Sequence, residues 1–129
     1  GDGFLAVFED AERAVAAGLA LADSAAALSR YTQGAFSLPF ATRMGVHWGS
    51  VVVGTLGASH NRRSTTMGDV VNTAARIEAA NKELGTTLLV SAEVDARLGD
   101  RFVRGRRVEL PLKGKSGVHA LVEILPPPP

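Results

Sequence analysis

The chain has 129 residues, 46% hydrophobic and 21% charged, enough for one domain with one core and too apolar for a disordered tail. A formal net charge of +1 excludes any case for nucleic acid or an anionic membrane from bulk charge, so anion binding must come from locally placed groups. The absence of cysteine excludes thiolate catalysis, zinc-thiolate centres and disulfides, and no apolar run approaches the roughly 18 residues of a membrane span.

In chain order, residues 4–8 (FLAVF) are a short apolar run that predicts a buried strand. An alanine-rich helix is expected over 9–28, with Glu9, Asp10 and Glu12 near its start, where the helix dipole favours negative charge. Residues 29–39, which include Gly34 and Pro39, read as a loop. Two strands, 41–47 and 51–54, flank Gly49-Ser50 as a hairpin, and the polar stretch 57–63 (GASHNRR) reads as an exposed excursion. A helix over 68–84 ends at Gly85, a glycine of the kind that closes helices.

A strand over 86–90 follows, then a short helix to Leu98 capped by Ser91, with Glu93 in its first turn. Residues 102–125 read as strands broken at Gly105 and at 113–117 (KGKSG), and the prolines 126–129 form an extended tail. The alternation is β-α-β-β-α-β-α-β-β. It predicts an α+β sandwich with helices on one face of a mixed, mainly antiparallel sheet. Residues 1–125 are assigned to the one domain and 126–129 to the tail.

The helix in "TTMGDVVNTAARIEAANKELG" carries the informative pattern. Val70, Ala74 and Ile77 fall on one apolar stripe, while Asn72 and Arg76 form an i, i+4 pair on the other side. Solvent cover is the ordinary explanation for such a pair. The neighbourhood argues for more: a Thr-Thr-X-Gly-Asp entrance precedes the helix, and a glycine-rich hairpin precedes that. Asn offers a donor and an acceptor, and Arg a permanently charged planar fork matched to phosphate. Together they suit a sugar and a phosphate.

The runs "GDGFLAVF", "RMGVHWGSVVVGTLGA", "TTMGDVVNTAARIEAANKELG" and "LPLKGKSGVHALVEI", in that order and over nearly the whole chain, resemble the catalytic domain of the class III adenylyl and guanylyl cyclases in its bacterial form. That resemblance implies a ferredoxin-like α/β sandwich. The implied activity converts ATP, or GTP, into its 3′,5′-cyclic monophosphate and pyrophosphate, through attack of the substrate's 3′-hydroxyl on the α-phosphate. Two divalent ions, Mg²⁺ or Mn²⁺, are implied as cofactors, held by two aspartates from neighbouring strands.

Residue by residue, Asp2 matches one of those metal aspartates, at a Gly-Asp-Gly tip. Asn72 matches the asparagine that orients the ribose, and Arg76 the arginine that stabilises charge on the pentacoordinate phosphate. Thr65 falls at the purine-selecting position and leans towards ATP. Lys113, in "LKGK", matches the lysine on the terminal phosphates. The resemblance further implies a homodimer whose active sites straddle the interface, with Asn72 and Arg76 facing a partner's nucleotide and 49–57 in the dimerisation arm. Regulatory domains linked to the parent protein and a role in signal transduction are implied as well.

The chain starts at Gly1 and lacks the family's first strand, with its other metal aspartate, and the strand with the purine-selecting lysine. It therefore reads as cut from a longer protein, inactive if it is the whole polypeptide. A cytoplasmic setting is expected, even for a parent tethered to a membrane.

Other motifs carry less. "GSVVVGTL" lacks the Lys-Ser/Thr of a phosphate-binding P-loop. His47, His60 and His119 have no metal-ligand spacing, and 5% aromatic content gives the short arginine clusters no stacking platform for nucleic acid. Two further readings compete with a cyclase. One is a catalytically silent cyclase-homology module that binds nucleotide or dimerises and regulates a linked domain; the other is a bare dimerisation fragment.

Overall fold

A computed structural model describes residues 3–36, 41–51 and 65–128. Helix α1 spans Ala11–Phe36. Asp10 starts it, its carboxylate accepting from the backbone N–H of Glu12 (2.8 Å) and Arg13 (3.2 Å), donors that a helix start leaves orphaned. The helix runs on through 29–36, where a loop is expected. The Thr32 hydroxyl donates to the Ser29 carbonyl (3.1 Å), so a polar side chain is satisfied without leaving the helix, and no proline intervenes before Pro39.

Strand β1 spans Met44–Val46, α2 Thr65–Leu84, β2 Leu88–Ser91, α3 Ala92–Asp95, β3 Val103–Pro111 and β4 Val118–Leu125. The sheet order is β1-β2-β4-β3. β1 pairs parallel with β2 across the α2 crossover, and the other pairings are antiparallel. This is the mixed, mainly antiparallel sheet of an α+β sandwich, consistent with the cyclase fold.

Helices cover both faces of the sheet, however, and not one. On β2, Leu88 and Val90 join α1 and α3 in a core with Val15, Val94, Leu98, Val122 and Ile124. Leu89 points the other way and meets α2 at Ile77 and Ala80, with Leu112 and Leu121. The three consecutive apolar residues Leu88, Leu89 and Val90 are the mark of a strand buried on both sides. Gly45 brings α2 down onto β1: a Cβ there would lie 2.4 Å from the backbone nitrogen of Glu78.

Several boundaries differ from expectation for identifiable reasons. Residues 4–8 form no strand; Phe4 is 80% exposed, and no described strand takes up their backbone hydrogen bonds. Gly105 does not end a strand but lies within β3, where the register shifts between Arg104 and Arg107, and a Cβ there would press on the Glu123 carboxylate. α3 keeps its Ser91 cap, with the hydroxyl accepting from the Val94 N–H, but stops at Asp95. Beyond it the Arg104 guanidinium collects the carbonyls of Asp95, Leu98, Gly99 and Phe102. Of the hairpin expected over 41–54, the first strand is β1, while 52–54 of the second strand and the 57–63 excursion lie outside the described residues.

Helix α2 begins at Thr65, a turn earlier than expected, and closes at Gly85 as expected, with φ +70. Its buried face includes two polar residues, Thr73 and Asn81. Asn81 is fully buried; its amide donates to the carbonyl of Met44 (2.9 Å) and its side-chain oxygen accepts from the Thr86 hydroxyl (2.7 Å). It ties the end of α2 to β1 and to the turn entering β2.

Candidate active site

Asn72 and Arg76 both lie exposed on α2, on the side away from Ile77, Ala80 and Asn81. Neither is packed into the interior of its own subunit, and neither side chain hydrogen-bonds or ion-pairs with any described residue. The helix period puts them there. Thr73, Ile77 and Ala80 commit one face to the sheet, and the face about 100° or more around is left to solvent.

The β3–β4 turn rises beside this face. Leu112 is buried and anchors its base in the α2 core. From Lys113 onward the turn is largely exposed, with Gly114 and Gly117 in the left-handed region that favours glycine. A Cβ at Gly114 would lie 3.7 Å from Nη2 of Arg76, so the guanidinium rests directly against this turn. Lys113, exposed and without an ion pair among the described residues, is the next residue along. Three of the five expected site residues, Asn72, Arg76 and Lys113, thus sit on adjoining surface. Thr65 opens α2, but its side chain lies outside what the structure describes, and Asp2 lies outside the described residues altogether.

Sequence reasoning passed over two residues here. The Lys115 ammonium meets Oδ1 of Asp69 at 2.5 Å, joining the turn to the first half of α2. The hydrogen bond and charge of Lys115 hold the Asp69 carboxyl below its ordinary 3.8. The signal was present as the second lysine of "LKGK" and the aspartate of "MGDVVN", but the partners lie 46 positions apart.

Beneath this ion pair is a cleft of about 360 Å³ between α2 and the ends of β2 and β4, bordered by His47, Thr73, Glu93 and His119. His47 Nδ1 lies 3.0 Å from the Ser91 hydroxyl. Burial pushes the His47 pKa below 6.5, against the opposing pull of Glu93. Next to it, Trp48 stacks under the Arg97 guanidinium, 4.6 Å from the ring centre.

Among the described residues no group of three or more His, Asp or Glu side chains comes together as a metal site. The residues described do not by themselves fit the divalent ions that the resemblance implies. No described helix is long and apolar enough to cross a membrane.

An exposed guanidinium, an asparagine one turn before it and a glycine-punctuated lysine turn therefore share one face of the domain. The family model for the adenylate and guanylate cyclase catalytic domain matches residues 1–122, and the chain belongs to that family. It is 48% identical over 69 residues, 53% of its length, to adenylate cyclase 1 of Rhizobium meliloti (strain 1021), and 43% identical over 51 residues, 40% of its length, to an adenylate cyclase of Anabaena cylindrica. A terminal-differentiation-specific adenylate cyclase of Dictyostelium discoideum is 29% identical over 87 residues, 65% of the chain. The matched regions span only 10%, 10% and 4% of those proteins, in the same order.

Proposed function

We propose that this domain catalyses cyclisation of a purine nucleoside triphosphate, ATP in preference to GTP, to the 3′,5′-cyclic monophosphate and pyrophosphate. The observation that carries the reading is the position of Arg76: exposed, without a carboxylate partner among the described residues, and set against the turn that carries Lys113. A cation held this way costs little reorganisation when charge develops on a phosphate.

In this reading Asn72 holds the ribose so that its 3′-oxygen faces the α-phosphorus. That oxygen forms the new P–O bond as the bond to the β-phosphate's bridging oxygen breaks, and the hydroxyl's proton ends on the pyrophosphate. Arg76 stabilises the charge on the five-coordinate phosphorus, and Lys113 holds the terminal phosphates. Thr65 faces the base. The divalent ions implied by family membership would neutralise the phosphates and acidify the hydroxyl. Among this chain's residues Asp2 is assigned as one of their ligands.

Because Asn72 and Arg76 face away from their own subunit, the nucleotide they serve is assigned to a second copy, in a homodimer with composite sites. The test is cyclic nucleotide formation by the full-length protein with ATP or GTP and Mn²⁺. Arg76→Ala is expected to lower kcat by about 10³-fold. A loss below about tenfold would remove Arg76 from the reaction. Nucleotide binding without any cyclic product from the unaltered protein would favour a silent regulatory module.

A further inference from the structure

We infer that the Asp69–Lys115 ion pair is a positioning latch: it holds the β3–β4 turn against α2 so that Lys113 and Arg76 meet the same triphosphate. The inference rests on the cyclase reading and goes beyond it, since neither residue is a group assigned to touch nucleotide.

The latch follows from what holds the turn and what does not. Leu112 seats the turn's base in the core, but Lys113, Gly114, Ser116, Gly117 and Val118 are all exposed. Where the turn passes the first half of α2, the space between them is the cleft of about 360 Å³ and not a packed contact. Across that gap the 2.5 Å contact of Lys115 with Asp69 is the ion pair that joins the two elements. A backbone bond from the Lys115 N–H to the Leu112 carbonyl (2.9 Å) sets the curl of the turn but does not tie it to the helix. His119 Nε2 lies 3.0 Å from the Ser116 carbonyl and the Arg76 guanidinium rests against Gly114, but the first contact is internal to the β3–β4 hairpin and the second is not an ion pair.

The pair also sets the local charge. Asp69 lies one helical turn before Asn72 and Thr73, where an unpaired carboxylate would repel a triphosphate. Paired with Lys115 it is neutralised, which leaves Arg76 and Lys113 as cations beside it among the described residues. The Lys-Gly-Lys spacing thus divides the labour: one lysine is for the substrate and the other for the scaffold. Side-chain exposures of 24% for Lys115 and 64% for Asp69 make the pair a weak contributor to stability. Its effect belongs in geometry, where displacement by about 1 Å is enough to lower turnover by about a hundredfold.

The sign of one substitution separates this from electrostatics alone. Removing the Asp69 carboxylate makes the surface more cationic, which by charge alone should strengthen triphosphate binding. The latch requires a loss instead. In the full-length protein with ATP and Mn²⁺, Asp69→Asn and Lys115→Met are each expected to lower kcat about tenfold or more. KM should change less than kcat, and the thermal midpoint should stay within about 2 °C. Lys115→Arg should retain most of kcat, and the reversed pair Asp69→Lys with Lys115→Asp should exceed both singles in kcat.

Asp69→Asn with undiminished kcat, in the assay where Arg76→Ala collapses it, would overturn the latch and leave the cyclase reading standing. Lys115→Met raising KM alone would likewise overturn it, by reducing the pair to a role in local charge. Wild-type kcat for Arg76→Ala would instead overturn the cyclase reading itself.

Discussion

Two asparagines on α2 show how one helix divides its faces between the core and solvent. Asn81 has no exposed surface and is held by the Met44 carbonyl and the Thr86 hydroxyl; Asn72 is exposed and its side chain has no hydrogen-bond partner among the described residues. A buried amide is tolerated only when its donors and acceptors are matched, so Asn81 is a structural tie with a full set of partners. An exposed amide has water as its partner and stays available for a ligand. The same contrast separates the arginines. Arg104 is spent on the Asp95 carboxylate and four backbone carbonyls around α3, whereas Arg76 is uncommitted.

Substitution should split the two faces cleanly. On the exposed face, Arg76→Ala carries the largest expected effect, and Asn72→Ala should lower kcat/KM of the full-length protein about a hundredfold. Neither should move the thermal midpoint by more than about 2 °C, since neither side chain is buried. On the buried face, Asn81→Ala should destabilise the domain by about 2–3 kcal/mol in urea unfolding, because the Met44 carbonyl and the Thr86 hydroxyl lose their partner. If Asn81→Ala left stability untouched while Asn72→Ala lowered it, the assignment of the faces would be reversed.

The smallest effect concerns pH. Burial depresses the His47 pKa below 6.5, so the unfolded chain binds its proton more tightly than the fold does. The stability His47 contributes is complete above pH 6.5 and is lost as pH falls through the window between 6.5 and its lower folded value. His47→Gln should flatten the stability profile just below pH 6.5. An unchanged slope there would assign the pH response to another group.

Much of this was legible in the sequence, and the failures have physical causes. The 3.6-residue period separated Asn72 and Arg76 from Ile77, and Gly85 marked the end of α2, because both signals are local. Residues 4–8 looked like a strand by composition, but a strand needs a neighbour for its backbone, and composition does not supply one. Placing the helices on one face missed Leu88, Leu89 and Val90, whose unbroken apolar run buries both sides of β2. The Asp69–Lys115 pair was out of reach for the opposite reason: each residue is an ordinary surface charge in the sequence, and only the fold brings them together.

Subunit complementation tests most directly whether the Asn72–Arg76 face of one copy serves a nucleotide held by another. Full-length Asp2→Ala and Arg76→Ala proteins should each be nearly inactive alone. Mixed in equal amounts and allowed to exchange subunits, half the dimers should be mixed, each with one intact site of two, so activity should return to about a quarter of wild type. A mixture as inactive as its two parents would contradict a shared site and return Arg76 to the service of its own subunit.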